Sequence, residues 1–334
     1  MGGAGALGRL IHTGQAVADL VLRVPALPEA GGDVFASAYA ARVGGGFNVM
    51  AAARRDGARV VYAGGHGVGP FGDMVRAALR GEDVGLLARA DPSRDTGLSV
   101  ALVDDAAERT FVSWAGAEAA AQPEALAAAA PGPGDVVYVT GYSLVHAPKR
   151  RALLAWLRDL SLADAVPRVL VDPSPLLAAA PAHVWRSLAP LVTWWSLNLL
   201  EAKAMAWLLG LPEAPAESPD AEEASPAALA AALRGTLEAS VVVRLGAEGA
   251  VVAERAAGPD APPVWVPGHP VKAVDTNGAG DAHCGVMAAA LLRGAPLLQA
   301  VARANVAAAL AVTRPGPATA PATKEIDAAL GYSP

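Results

Sequence analysis

Asp281 follows Gly278-Ala279-Gly280 at the point where a short apolar run, residues 271–274, gives way to an Ala-, Leu- and Met-rich stretch without proline, 282–292. The run reads as a strand end and the stretch as a helix, so three small residues fall where a helix begins. Backbone N–H groups there have no intrahelical partner, small side chains let an anion approach them, and the helix dipole favours negative charge. A carboxylate in the first turn projects beside that anion hole. Charge stabilisation next to a proton acceptor is what phosphoryl transfer to a hydroxyl needs. Taken alone, Gly-x-Gly-Asp is equally an ordinary glycine turn with an acidic helix start, because Asp is favoured there for capping.

Other polar positions stand out against apolar surroundings. Asp19 is the one acid inside an extended apolar segment, 16–24, and by itself reads as an exposed strand residue. Gly44-Gly45-Gly46-Phe47-Asn48 opens a helix reaching about Arg55, and its glycines let a ligand reach the backbone beside the amide of Asn48. Asn198 and Glu201 have the spacing of a helix N-cap and its capping-box partner. Arg244 ends a strand that turns through Gly246 and Gly249, a hairpin signal. Residues 67–72 fit a Gly-x-Gly-x-x-Gly dinucleotide fingerprint formally. That reading is rejected: Pro70 removes a donor, and Asp91 and Asp95 lie in a Pro/Ser/Arg turn instead of ending an apolar strand.

The elements that must hold these residues alternate. Strands are expected at 9–13, 59–64, 136–140, 168–172, 191–196 and 240–245, with helices at 148–160, 198–209 and 226–237. Such alternation argues a mostly parallel sheet covered by helices on both faces. Segments 96–103 and 109–114 read as a hairpin carrying Arg109, and 34–43 as an edge strand. Residues 212–226 read as a Pro/Glu/Ala/Ser-rich surface loop and not a domain boundary, so 1–334 is expected to be one domain.

With 53% hydrophobic and 17% charged residues the chain is globular, and a net charge of −6 argues against nucleic-acid or anionic-membrane partners. The single cysteine, Cys284, excludes an intramolecular disulfide and suits a reducing compartment; its place near a helix start could lower its pKa, though packing is its expected role. No secretory signal and no apolar run of about 18 residues is apparent, so a soluble, cytoplasmic protein is expected. None of the six histidines has metal-ligand spacing with Cys284.

The heptad 275–281 closely resembles the C-terminal signature of the PfkB/ribokinase family of carbohydrate kinases. Residues 44–48, with Gly57 and Gly67 downstream, resemble its N-terminal signature, and Gly14-x-x-x-Ala18-Asp19 matches a further family pattern. The resemblance runs from Gly14 to Gly316 with the motifs in family order. It implies a ribokinase-like three-layer α/β fold, with a small β-sheet lid from segments near 15–43 and 96–115 that often also forms a dimer interface. It implies Asp281 as base, Gly278, Ala279 and Gly280 as anion hole, and Asp19, Gly45, Gly46 and Asn48 around the acceptor, with Arg109 a further candidate. Asn198 and Glu201 would organise Mg²⁺ through water; Arg244, Gly246, Gly249 and Asn305 would lie along ATP. Asp275 and Gly316 would build a site for a monovalent cation such as K⁺. Departures are His283, Val286, Met50 and Val17, the missing lysine after the paired glycines, and Thr140-Gly141-Tyr142-Ser143 where an acid is usual. The implied activity is ATP-dependent phosphorylation of a sugar hydroxyl. A nucleoside kinase on the same fold and a non-catalytic nucleotide- or sugar-binding sensor are the alternatives.

Overall fold

The computed structural model describes residues 8–106, 108–163, 166–211 and 225–332. Most of the 212–226 loop lies outside the described residues. The strands are β1 (Arg9–His12), β2 (Ala16–Arg23), β3 (Ala38–Gly45), β4 (Arg59–Tyr62), β5 (Gly85–Leu86), β6 (Leu98–Val103) and β7 (Arg109–Trp114). They continue as β8 (Val136–Thr140), β9 (Arg168–Asp172), β10 (Trp194–Asn198), β11 (Ser240–Arg244), β12 (Gly249–Ala253) and β13 (Val264–Pro267). Among the described residues they form a nine-stranded sheet in the order β13-β12-β11-β10-β9-β8-β1-β4-β5 and a four-stranded sheet in the order β3-β2-β6-β7.

The large sheet is parallel from β5 to β11 and antiparallel at β12 and β13. Its strands are Val-rich and continuously apolar because helices cover both faces, and successive side chains divide between two cores. Leu10, Tyr138, Leu170, Trp194 and Val242 point to one face, with helices Gly46–Arg55, Ala279–Leu292 and Leu297–Ala311. Ile11, Val137, Val171, Trp195 and Val243 point to the other, with helices Ala147–Ser161, Leu199–Leu209 and Pro226–Leu237. Helices thus flank a mostly parallel central sheet in three layers, as expected. The four-stranded sheet is the lid, its strands lying within 16–45 and 98–114.

Three expected strands differ: the edge strand expected at 34–43 runs instead over Ala38–Gly45. Residues 271–274 do not pair into either sheet; Val274 N and Asp275 N both donate to Val312 O, at 2.7 and 3.1 Å, just past the helix Leu297–Ala311. Val271 and Val274 are exposed, so the apolar run is a surface link to the site and not a buried strand. The strand expected at 191–196 begins later, at Trp194, because Pro190 lies in a 3-10 turn over Ala189–Leu191.

Candidate active site

The helix Ala279–Leu292 starts behind Gly278, whose left-handed backbone (φ 78°) only glycine adopts without strain. Ala282 N closes the first turn on Gly278 O at 2.9 Å, and Ala279 N donates to Thr276 O at 3.3 Å. Among the described residues the amides of Gly280 and Asp281 find no partner, as an anion-binding helix start requires. The helix Gly46–Arg55 packs so closely on this one that a β-carbon at Gly285 would collide with Val49 O. That contact brings Asn48 to Asp281: Asn48 Nδ2 donates to Asp281 Oδ2 at 2.8 Å.

Burial pushes the Asp281 carboxyl up to about 7, reinforced by Asp172 and Asp19 and opposed by the Asn48 hydrogen bond and Arg244. A carboxyl there is half ionised near neutrality, where a general base works best. Asn48 Oδ1 is buried without a partner among the described residues, an acceptor left for a ligand's hydroxyl.

Asp19 faces the same space from the lid. Burial raises its carboxyl to about 6. It lies over the α-carbon of Gly44, where a β-carbon would collide with Oδ2. Gly45 takes φ 62°, and Gly46 packs on the His12 ring, so neither tolerates a side chain easily. Arg109 begins β7 opposite Val103; its side chain lies outside the described part.

The side expected to hold the nucleotide centres on Arg244, at the end of β11. Its Nη1 donates to Asp172 Oδ2 at 3.0 Å and its Nη2 to Glu201 Oε2 at 3.2 Å. The guanidinium therefore braces two carboxylates instead of pointing freely at a phosphate. Glu201 also completes the expected capping box: it accepts from Asn198 N at 2.8 Å while its own N–H donates to Asn198 Oδ1 at 2.8 Å. Burial and Asp172 raise the Glu201 carboxyl, against Arg244 and Asn198. A cleft of about 460 Å³ opens here, lined by Asn198, Leu200, Arg244, Gly246 and Glu248. Gly249 closes the β11–β12 turn at φ 103°. Asn305 does not face the cleft with a free amide: its Nδ2 donates to Val266 O and Pro267 O, at 3.1 and 3.0 Å, tying the helix Leu297–Ala311 to β13.

Asp275 joins the two ends of the C-terminal region. Its Oδ2 accepts from Gly316 N at 2.9 Å and its Oδ1 from Asn277 N at 3.0 Å. Gly316 needs its positive φ of 93°, and a β-carbon there would stand 3.3 Å from the Arg42 guanidinium.

Three residues carried little signal in the sequence. Asp172 reads as the end of an apolar strand, yet it sits among Arg244, Glu201 and Asp281. Asp95, dismissed as a turn residue, accepts from Phe71 N at 3.0 Å and Gly72 N at 2.7 Å. A dinucleotide phosphate would need those amides, so the rejected fingerprint is a structural turn. Lys149 reads as a helix surface charge but is buried. Cys284 is buried as well; burial raises its thiol, which donates to Asp172 Oδ2 at 3.3 Å, so the helix start does not activate it.

A carboxylate in the first turn of a glycine-led helix, a second carboxylate on the small sheet and an Arg-braced acidic pair fit the phosphotransferase that the sequence motifs imply. Residues 9–324 match the model of the pfkB family of carbohydrate kinases, and the chain belongs to that family. It is 32% identical over 320 residues to the uncharacterized sugar kinase YegV of Escherichia coli, covering 94% of this chain and 91% of that protein. The ribokinase of Cryptococcus neoformans var. grubii in complex with ADP aligns with a TM-score of 0.80 at 22% identity, over 97% of this chain and 99% of that one. The aminoimidazole riboside kinase of Salmonella enterica, complexed with aminoimidazole riboside and an ATP analog, aligns at 0.73 and 22%, over 97% and 99%. The fold is ribokinase-like. No described helix is long and apolar enough to cross a membrane.

Proposed function

We propose that this kinase transfers the γ-phosphoryl group of ATP to a hydroxyl, most readily a primary one, of a sugar or sugar-like molecule. The observation that carries the reading is Asp281 in the first turn behind Gly278–Gly280, held by Asn48 at 2.8 Å.

The residues present fit MgATP. The free amides of Gly280 and Asp281 suit an anion, and the oxygen-only set of Asp172 and Glu201 suits a hard cation. When bound, MgATP supplies the phosphoryl group and the metal's charge. The chain's own part is to orient and deprotonate the acceptor. Asp19 and Asn48 Oδ1 accept from its hydroxyls, Asp281 takes the proton of the reacting one, and the amides hold the charge that develops. Arg244 keeps Asp172 and Glu201 in place. Asp275 and Gly316 fix a loop whose carbonyls would take a monovalent cation such as K⁺.

A nucleoside acceptor is the second reading, supported by Phe35 and Tyr39, which are exposed near and on β3 and could stack on a base. A non-catalytic sensor is disfavoured by the intact Asp281. We place a homodimer contact on the lid, where Phe111, Val112 and Trp114 of the edge strand β7 are exposed. The single buried thiol suits a reducing compartment, and we place the reaction in the cytoplasm.

The test is ADP release from MgATP with ribose, fructose, other hexoses and nucleosides as acceptors. Acceptor-dependent ADP release supports the reading; ATP binding with no turnover on any acceptor supports the sensor.

A further inference from the structure

Four chain segments join the lid to the body, and each passes through a glycine packed too tightly for a side chain. Gly14 enters β2; a β-carbon there would stand 2.5 Å from His12 Cε1. Gly46 leaves β3 against the same ring, Gly97 enters β6 against Glu118 Oε1, and Gly116 leaves β7 against Gly97 N.

Two buried charged side chains hold these roots together. Glu118, 3% exposed, accepts from Gly97 N at 2.7 Å through Oε2 and from Gly116 N at 2.9 Å through Oε1. Lys149, 5% exposed, donates to Gly14 O and to Glu118 O, both at 2.8 Å. Tyr62 Oη accepts from Ala16 N at 3.0 Å, and Gly46 N donates to Gln15 O at 2.6 Å. Lys149 belongs to the body, on the helix Ala147–Ser161. Buried charges are costly unless fully hydrogen-bonded, and apolar side chains would fill the same volume without that cost. The bonds described for these two charged groups all go to backbone atoms at the lid's roots. That pattern is explained by a need to fix the lid's angle and not merely to fill space.

We propose that Lys149 and Glu118 are positioning residues: they clamp the lid's pivot and so hold Asp19 over the acceptor beside Asp281. The proposal rests on the reading of Asp19 as the acceptor's anchor. Asp19 lies five residues beyond Gly14 on the strand that Lys149 holds, and its charge is felt at Asp281. Neither Lys149 nor Glu118 touches the acceptor, so their loss should act on acceptor binding through the lid alone.

The experiment is hydrogen–deuterium exchange on the full chain of Lys149→Met and Glu118→Gln, comparing β2, β3, β6 and β7 with β8 and β9. Acceptor KM and ADP affinity are measured alongside, using the fastest acceptor of the panel above. Glu118→Gln is nearly isosteric and keeps one acceptor oxygen, so it covers the case in which Lys149→Met fails to fold. Exchange in the lid strands should quicken by about tenfold or more, while β8 and β9 stay as in the wild type. Acceptor KM should rise about tenfold while ADP affinity stays within about twofold. Unchanged lid exchange, or an equal rise in β8 and β9, would overturn the proposal. So would a loosened lid with unchanged acceptor KM. Asp19→Ala, run in parallel, tells the two failures apart: if it too leaves KM unchanged, the reading of Asp19 has failed; if it raises KM, the clamp has.

Discussion

Asn48 Nδ2 donates to Asp281 Oδ2 at 2.8 Å, across 233 residues of sequence. The bond joins the helix that follows the lid to the helix Ala279–Leu292, so it ties the proposed acceptor side of the cleft to the proposed base. It also sets the chemistry of that base. Burial alone would push the carboxyl further up, and a donor to its charged form pulls it back to about 7.

The pH dependence follows. Below about pH 7 Asp281 is protonated and cannot accept a proton, so kcat/KM should fall tenfold for each pH unit on the acid side. Asn48→Leu removes the donor that favours the charged form. Its acid limb should move upward by about one unit. A limb that stays in place would separate Asn48 from the base.

Glu201 should govern the metal requirement. Glu201→Gln retains an oxygen that can accept from Asn198 N, so the cap survives and the melting temperature should move by only a few degrees. The Mg²⁺ concentration for half-maximal rate should rise by about tenfold. An unchanged Mg²⁺ dependence with a lowered melting temperature would leave Glu201 as a cap only.

The acceptor pocket should discriminate against ribose. It keeps Asp19 and Asn48 but has no lysine in the glycine loop and has Tyr142 after β8 where an acid is usual in the family, while Phe47 packs into the core. A hydrogen bond to a charged group contributes about 1.5–3 kcal/mol, so losing two lowers efficiency on ribose by about two to four decades. Asp19→Ala should impair every good acceptor. If ribose outperforms fructose, other hexoses and nucleosides, this account of the pocket fails.

Where the geometry matches the expectation, it is local in sequence. Gly278 to Asp281 form one turn, Gly44 to Asn48 another, and Asn198 with Glu201 a third, so type and spacing sufficed. Asp172 was not legible: its role depends on Arg244, 72 residues away, and on a β9–β10–β11 register that no local pattern encodes. Lys149 was hidden for the converse reason. A lysine on a helix is normally solvated, and only the convergence of Gly14 and Glu118 upon it shows why this one is buried. The run 271–274 misled because apolar residues that lead into a functional loop look like a strand until their hydrogen-bond partners are known. Here those partners are a single carbonyl, Val312 O. Arg244, placed along ATP by the family resemblance, also shows what spacing does not reveal: its guanidinium is engaged by Asp172 and Glu201.

Asp281 should also carry a stability cost. Its folded-state pKa lies above the ordinary carboxylate value, so the native state holds the proton more tightly than the unfolded chain between roughly pH 4 and 7. The penalty grows through that window and is complete above pH 7. Asp281→Asn should therefore raise the melting temperature, and by more at pH 8 than at pH 5. An equal or negative shift at both would mean that the carboxyl is not held as described.

The most direct test of the central claim is the phosphoryl-transfer rate of Asp281→Asn at saturating MgATP and acceptor, read as ADP formed at pH 8. The amide keeps the shape and the neighbour Asn48 but accepts no proton, so the rate should fall by about two to four decades while ADP affinity stays within about twofold. A variant that phosphorylates its best acceptor at near wild-type rate would contradict the assignment of Asp281 as the base.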